Sequence, residues 1–435
     1  MHDVFRGMKN SFVFLSVFSL LLASFISTAQ QRVLEGFIYD SHSHEALPFA
    51  TVGIRGTTIG TATNVEGYFV LAVPAQLRDS ILMCSYMGYK NYEKSISLLN
   101  DRPEIAMELD VFTLDEVEIR PWEPWDYIHN AMQHIDQNYP NNAYMTNEYY
   151  SEYITENDVF LKFTEAVIET YNPPYLLDSG SQSKVLKARR GADLGKLQFM
   201  RDKLDKKFEK EKRKAKKKGE DWQNEETIDA QIVAASFGGP EMILSADPLR
   251  DTASYLNSSH KKEYVYSIEG YSRFYGEQVI IIGFESKGKF EHQRQKGSVY
   301  ISLESDAIMA IEYSSEVVIP VAIRPLLFVV GFGISNPEIH AMVHYKPIGT
   351  RWFLNDISIQ GSMQLTKKKM FSKNDRSVFG MQMGLVNTKF ELQKVHEIPK
   401  EERLNPEKPL EEQVAADPAF WRNYRVVRPG KLKLN

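Results

Sequence analysis

One short stretch of the sequence has the residue types of a metal site. Residues 42–45, His-Ser-His-Glu, place a histidine and a glutamate three positions apart, the spacing at which some zinc peptidases hold a metal with two ligands. A third imidazole would have to come from His129 or His134. The stretch falls in a predicted turn between two strands, and an exposed turn is not the floor of a cavity that holds a water-activating metal. We therefore expect no metal site there, beyond adventitious binding by the His-x-His pair.

Other motifs of catalysis are missing from the sequence. It contains no H-E-x-x-H, G-x-S-x-G, C-x-x-C or phosphate-binding loop. Gly331-Phe332-Gly333 begins a dinucleotide-binding pattern, but the third glycine and the strand-to-helix context are missing. The single cysteine, Cys84, lies in an apolar strand, which indicates a small buried side chain and excludes an intrachain disulfide. The sequence predicts a non-enzymatic protein without catalytic residues or cofactors.

An apolar segment is the strongest binding candidate. Residues 317–334, VVIPVAIRPLLFVVGFGI, carry one charge, at Arg324, and prolines at 320 and 325, which disfavour a membrane-spanning helix. The segment is either a buried connection between hairpins or an apolar lid that touches lipid or closes a hydrophobic cavity. In the second case the predicted ligand-binding residues are Ile319, Val321, Leu326, Phe328 and Phe332.

Charge and hydropathy limit the partners. A net charge of −5 over 435 residues gives no overall attraction to nucleic acid. Residues 201–218 are dense in lysine and arginine, so they form either a solvated charged helix or loop, or a basic patch for phosphate-rich lipid headgroups. Residues 1–29 have a basic start, an apolar run and small residues before Gln30, which predicts a cleaved signal peptide, with an uncleaved anchor as the alternative. We expect an exported protein.

The elements that would position such sites are mainly strands. The length predicts two or three domains, and 22 tyrosines and 24 phenylalanines favour β-structure. Residues 30–119 contain short strands separated by turn residues about every ten positions, which predicts a β-sandwich. Within it, residues 56–74 predict a hairpin with its turn at 64–67.

The motifs of this first domain carry a family resemblance. GFIYD (36–40), ALPFATV (46–52), GTTIGTAT (56–63), GYF (67–69) and SYMGY (85–89) together resemble the carboxypeptidase-like regulatory domain. The resemblance implies a transthyretin-like sandwich of the kind found at the front of TonB-dependent outer-membrane receptors in Gram-negative bacteria. LDEVEIRP (114–121) resembles the segment that leads into the receptor plug, but Glu118 interrupts its apolar run. The remaining length is too short for a receptor, so the resemblance does not imply receptor function.

The rest of the chain predicts an α+β domain with a large meandering antiparallel sheet. We expect a helix at 122–139 and the first hairpin within residues 120–177, a charged insert at 178–229, the main sheet at 230–400 and a C-terminal tail at 401–435. A helix on such a sheet resembles the periplasmic lipoprotein-carrier half-barrel and, more loosely, uncharacterised envelope proteins with the same front domain.

These observations favour an exported cell-envelope protein in the periplasm or at the inner face of the outer membrane. The sandwich would be an interaction module, and the sheet would bind an apolar ligand, such as an acyl chain, or another envelope component. The expected partners are a lipid or an outer-membrane protein. The alternatives are a structural adaptor of a TonB-dependent transport complex and an accessory of an envelope hydrolase.

Overall fold

The computed structural model describes residues 32–64, 66–110, 120–157, 159–177, 180–192, 239–250, 253–288, 294–316, 332–367 and 375–424, and most positions between 209 and 218. The predicted signal peptide and most of the predicted charged insert lie outside these ranges.

Seven strands form the N-terminal sandwich. They are β1 (Arg32–Asp40), β2 (Thr51–Ile54), β3 (Gly60–Ala62), β4 (Tyr68–Val73), β5 (Ile81–Ser85), β6 (Tyr92–Ser95) and β7 (Glu104–Met107). One sheet has the order β4-β1-β7 and the other β3-β2-β5-β6. Leu34 and Ile38 of the first sheet share a core with Val52 and Leu82 of the second, because alternate residues of each strand face inward. The predicted sandwich is confirmed.

The predicted hairpin at residues 56–74 is wrong. β3 pairs with β2, and β4 pairs with β1, so the turn at 64–67 carries the chain from one sheet to the other. Gly67 has φ +78°, and a Cβ atom there would lie 2.5 Å from the carbonyl oxygen of Ile38. Two strands that each bury one face show the same alternation whether they pair with each other or face each other across a core.

Ten antiparallel strands form the second domain. They are β8 (Tyr144–Glu156), β9 (Val159–Asn172), β10 (Gln182–Ala192), β11 (Tyr264–Phe274), β12 (Glu277–Ser286), β13 (Gln295–Ser302), β14 (Ile308–Glu316), β15 (Phe332–Ile348), β16 (Arg351–Lys367) and β17 (Asp375–Glu391). Their order is β10-β9-β8-β17-β16-β15-β14-β13-β12-β11. The mainly β fold and the meander are confirmed. The meander runs from β11 to β17, and the first hairpin, β8 and β9, joins the sheet by pairing β8 with β17.

β10 lies inside the range that the sequence assigned to the charged insert, 178–229. It pairs with β9 along its whole length, and it buries Ser183, Val185 and Ala188. Its charged residues concealed the strand pattern, and three of them, Lys184, Lys187 and Arg190, pair with acidic residues of the C-terminal part of the chain. Lys187 lies 2.6 Å from Asp417, and Arg190 lies 2.6 Å from Glu411. The described positions between 209 and 218 are helical and exposed.

In the part of the chain that the structure describes, four short helices accompany the sheet, in addition to the exposed helical positions between 209 and 218. They are α1 (Pro124–Gln133), α2 (Ile135–Asn138), α3 (Gly239–Leu244) and α4 (Pro418–Asn423). The single helix predicted at 122–139 is divided at His134, which has φ −102° and ψ 15°. Glu123 and Asp126 form a capping box at the start of α1, which ends the preceding extended chain. Among the described residues, no helix is long and apolar enough to cross a membrane.

The two faces of the sheet are covered by different elements. On the helix face, α1 and α2 pack on the core, where the ring of Trp125 lies 5.0 Å from that of Tyr266 and Tyr139 donates to the carbonyl oxygen of Ile308 at 2.5 Å. On the opposite face, which we call the sandwich face, the N-terminal domain packs on β11–β17 and α4 packs on β8–β10. Successive residues of β15 alternate between the two faces, so Tyr345 lies in the core while His344 and Lys346 lie under the sandwich.

Candidate binding site between the sandwich and the sheet

The two domains are joined by specific polar contacts. The backbone N–H of Gly88 donates to the carbonyl oxygen of Arg273 at 3.0 Å, and the Arg273 guanidinium lies 3.6 Å from the Asp110 carboxylate. Thr58 donates to the carbonyl oxygen of Phe390 at 3.2 Å. These contacts come from opposite ends of the sheet's meander, from β11 and β17, so the sandwich spans several strands.

The SYMGY turn of the sandwich reaches this interface. Gly88 has φ +81°, the left-handed conformation that glycine adopts without steric cost. The turn places Met87 against the apolar core of the sheet domain and Tyr86 against the core of the sandwich. The residues that identify the sandwich in the sequence therefore also line its contact with the sheet.

A cavity of about 290 Å³ lies beside this turn, with walls from both domains. Its lining is mostly apolar and aromatic, with Ser85, Ser272, Glu312 and His344 as the polar groups. The apolar residues are Phe49, Tyr86, Met87, Phe274, Ile281, Tyr300, Ala310, Ile311 and Met342. An apolar wall with a few polar groups at a domain boundary is typical of a small-molecule binding site, and the volume lies at the lower end of the usual range.

The polar groups of the cavity have defined partners. Tyr300 donates to Oε2 of Glu312 at 3.4 Å, and burial together with the charge of Glu312 raises the pKa of Tyr86. Nδ1 of His344 lies 2.9 Å from Oδ1 of Asp356 on the neighbouring strand. Asn355, the extra residue of a β-bulge, donates to Oδ2 of the same carboxylate at 2.7 Å. The cavity therefore has fixed polar groups at one end.

Phe49 separates this cavity from a smaller one of about 80 Å³, and its side chain lines both. The backbone of Phe49 has φ +60°, which is uncommon for a bulky residue and costs free energy. Its N–H donates to the carbonyl oxygen of Thr63 at 3.1 Å, which fixes the segment in this conformation. Strain of this kind often accompanies functional sites, and here it places an aromatic ring between two cavities.

Lys346 is a buried cation in the same interface. Its Nζ lies 4.5 Å from the centre of the Phe390 ring and 3.5 Å from the carbonyl oxygen of Thr58. Burial lowers the pKa of Lys346 to about 8, against a smaller opposing effect of the Asp356 charge. The sandwich thus covers a charged group that water would otherwise solvate.

The metal candidates of the sequence lie in separate domains. His42 and His44 are exposed in the turn after β1, where the Asp40 carboxylate accepts from the His42 backbone N–H at 2.8 Å. His129 lies on α1 and its Nε2 lies 3.0 Å from Nε2 of Gln133, while His134 ends that helix. Among the residues that the structure describes, no three histidine, cysteine or acidic side chains form a group that could hold a metal ion.

The predicted apolar site falls largely outside the described residues. Ile319, Val321, Leu326 and Phe328 belong to this undescribed part, and Phe332 is described only by its backbone, which begins β15 opposite Lys367. The interdomain cavity was not predicted, because its lining comes from strands that are far apart in sequence. Tyr86 and Met87, beside a turn glycine, are the part that sequence patterns could have indicated.

Comparisons with known proteins match the sandwich. Residues 34–119 match the family described as CarboxypepD_reg-like domain. TonB-dependent receptor P26 of Formosa agariphila is 37% identical over 93 residues, which are 21% of this chain and 9% of the receptor. TonB-dependent receptor SusC of Bacteroides thetaiotaomicron is 30% identical over 118 residues, 25% of this chain and 11% of the receptor. The chain thus spans only about a tenth of the length of these receptors.

Similarity to solved structures is weak. A DUF1329 family protein from Desulfovibrio piger has a TM-score of 0.20 and 12% identity, and the match covers 61% of this chain and 94% of that protein's chain. Lipovitellin, solved in a study of lipid–protein interactions, has a TM-score of 0.23 and 10% identity, over 65% of this chain and 28% of its own. The family match and the two receptors identify residues 34–119 as a carboxypeptidase-regulatory-like domain that this chain shares with TonB-dependent receptors.

Proposed function

We propose that this protein is an exported, non-enzymatic component of a bacterial cell envelope that binds an apolar ligand or envelope component between its two domains. The observation that carries the proposal is the cavity of about 290 Å³ walled by Tyr86 and Met87 of the sandwich and by Ile281, Tyr300 and Met342 of the sheet. Neither domain forms this cavity alone, which gives the regulatory-like domain a direct role in binding.

The receptors that share the sandwich support a location in the envelope of a Gram-negative bacterium, in the periplasm or at the inner face of the outer membrane. Between positions 209 and 218, every described residue except Glu209 is lysine or arginine, and all are exposed. We propose that this basic run contacts phosphate-rich lipid headgroups, an attraction of about 1 kcal/mol for each basic residue near an anionic surface.

Native mass spectrometry with lipid extraction tests the proposal on the full chain purified from an envelope fraction. We expect a co-purifying apolar molecule, which Met87→Asp removes because the substitution places a charge in the cavity wall. Leu98→Asp is the matched control, since Leu98 is 72% exposed on the same domain. Circular dichroism establishes that both variants are folded.

Two other results change the conclusion. If Leu326→Gln with Phe328→Gln removes the ligand and Met87→Asp does not, the ligand is held by the apolar segment of residues 317–334 instead of the cavity. If the wild type gives only the mass of the bare chain and is retained by an outer-membrane protein, the binding proposal fails. The role of the sandwich is then explained by the alternative, a structural adaptor of a TonB-dependent transport complex.

A further inference from the structure

A second cavity, of about 380 Å³, continues the interdomain cavity along the sandwich face of β11–β15. The two cavities share Glu312, whose side chain stands at their junction. The second cavity is polar where the first is apolar, and its lining includes Glu269, Glu285, Lys296 and His340. A ligand that fills both would be apolar at one end and polar at the other.

The charges of the second cavity are predominantly negative. Glu285 and Lys296 are directly opposite each other on β12 and β13, so their charges offset each other. Glu269 and Glu312 remain, nearer the apolar cavity. Both belong to the surroundings of Tyr300, since its pKa is raised first by burial and then by the charges of Glu312 and Glu269. The junction of the two cavities therefore has two carboxylates beside an aromatic hydroxyl.

The position of Glu269 is set by the backbone. It is the extra residue of a β-bulge in β11, between Ile268 and Gly270, and bulges redirect side chains. Its carboxylate lies across the backbone of Gly283, where a Cβ atom would be 2.3 Å from Oε1 of Glu269. Ser298 donates to the other oxygen at 2.7 Å. A bulge, a glycine and a serine from three strands thus hold one negative charge at the exposed edge of the cavity.

Glu312 has partners of a different kind. Its Oε1 lies 3.2 Å from Nε2 of His340, and its Oε2 accepts from Tyr300. The side chains of His340 and Glu312 are 41% and 37% exposed, so the Glu312 carboxylate remains accessible from the cavity. An anionic headgroup at this junction would be repelled by both carboxylates, whereas a cation would be attracted by them.

We infer that the ligand is an amphiphile with a positively charged headgroup. Its apolar part lies beside Met87 and Ile281, and its cation lies between Glu269 and Glu312. This inference rests on the proposed function, because it assigns the headgroup of the ligand that the interdomain cavity binds.

Isothermal titration calorimetry of the full chain with three probes of equal chain length tests the inference. The probes are decyltrimethylammonium, decanoate and decyl glucoside, each below its micelle concentration. We expect the ammonium probe to bind at least about ten-fold more tightly than decanoate, with the glucoside between them. Glu269→Gln with Glu312→Gln should abolish most of that preference, so that the dissociation constants of the ammonium probe and decanoate approach each other. Glu108→Gln, at an exposed position of the sandwich, is the control for net charge.

The outcomes separate this inference from the proposed function. Equal binding of all three probes, lost in Met87→Asp, overturns the cationic headgroup and leaves the apolar site standing. Tighter binding of decanoate, or a preference for the ammonium probe that survives the double substitution, also overturns the assignment to Glu269 and Glu312. If none of the three probes binds, both proposals fail.

Discussion

Nδ1 of His344 lies 2.9 Å from Oδ1 of Asp356, and the two residues are cross-strand partners on β15 and β16, directly under the sandwich. The side chains are 12% and 2% exposed, so water screens the pair little. Asn355 connects the same carboxylate to the sandwich, since its amide donates to Asp356 at 2.7 Å and to Thr51 at 3.4 Å. The interface between the domains thus contains a titratable pair, which makes its stability sensitive to pH.

The first prediction concerns the histidine of this pair. Burial disfavours the charged ring, but the charge and the hydrogen bond of Asp356 outweigh it and raise the pKa of His344 above 6.5. The folded protein then binds the proton more tightly, so the stabilisation is complete below about pH 6.5 and is lost as the pH rises through the folded pKa. In urea titrations we expect His344→Gln to cost about 1–3 kcal/mol near pH 5.5 and much less near pH 8.5. The exposed His396→Gln is the control, and a cost that grows with pH would contradict the assignment.

The second prediction concerns Lys346, two residues further along β15. Because burial lowers its pKa from 10.5 to about 8, the unfolded chain binds this proton more tightly, and the contribution of Lys346 to stability rises between about pH 8 and pH 10.5. We expect Lys346→Met to raise the free energy of unfolding by about 1–3 kcal/mol at pH 7. The loss of the favourable contact between the Lys346 cation and the Phe390 ring offsets part of this gain. The gain should shrink by pH 10. Lys389→Met, at an exposed position of β17, should show neither effect.

The third prediction concerns Glu148 in β8. Burial raises the pKa of Glu148 to about 7, although Thr146 and Thr170 donate to its oxygens at 2.7 and 2.8 Å. Because this carboxyl group binds its proton more tightly in the folded state, the folded protein loses stability as the pH rises from about 4.5 to 7. Glu148→Gln should therefore be more stable than the wild type by about 1–3 kcal/mol at pH 7.5 and nearly equal to it at pH 4.5 in chemical denaturation. The half-buried Glu169→Gln is the control, and an equal gain at both pH values would argue for a packing effect.

The fourth prediction concerns the C-terminal helix α4. Trp421 is 8% exposed and packs with Tyr149 and Val167 of the sheet, while the Arg189 guanidinium lies 4.5 Å from its ring centre. Trp421→Ala removes this packing, a loss of about 3–5 kcal/mol that exceeds what a six-residue helix can supply by itself. We expect α4 to detach, with faster hydrogen–deuterium exchange at 418–424 and unchanged exchange in β15 and β16. Arg422→Ala, on the exposed side, should leave exchange unchanged, and global unfolding of Trp421→Ala would contradict a local role.

Local patterns in the sequence were sufficient for the elements but not for their pairing. Tyr275 and Gly276 both have positive φ, the backbone conformation of a tight hairpin turn, and a glycine at such a position is a local sequence pattern. The helix predicted at 122–139 also has a local basis, since Trp125 and Ile128, three positions apart, are buried on one face of α1. The pairing of β3 with β2, away from β4, depends on which sheet each strand joins, and no local residue pattern encodes it.

The candidate site was less predictable for a related reason. Ile281, Tyr300 and Glu312 have ordinary sequence surroundings, and they meet Phe49 and Met87 only when the sandwich packs on the sheet. The charged residues of β10 also concealed a strand, because Lys187 and Arg190 pair with acids more than two hundred positions away. A charged composition suggests that such residues are solvated, whereas in the folded protein they form ion pairs that hold the C-terminal segment.

The position of β8 beside β17 has a consequence for biosynthesis. Ser377 donates to Glu156 across these strands, and the two residues are 221 positions apart. A ribosome therefore makes one whole edge of the first hairpin long before its partner exists, and an unpaired edge invites association with other chains. The sandwich closes with contacts inside its own eighty or so residues and can fold as it emerges. The sheet stays open until the last strand is made, so nascent chains interrupted before residue 375 are the species that most require a chaperone.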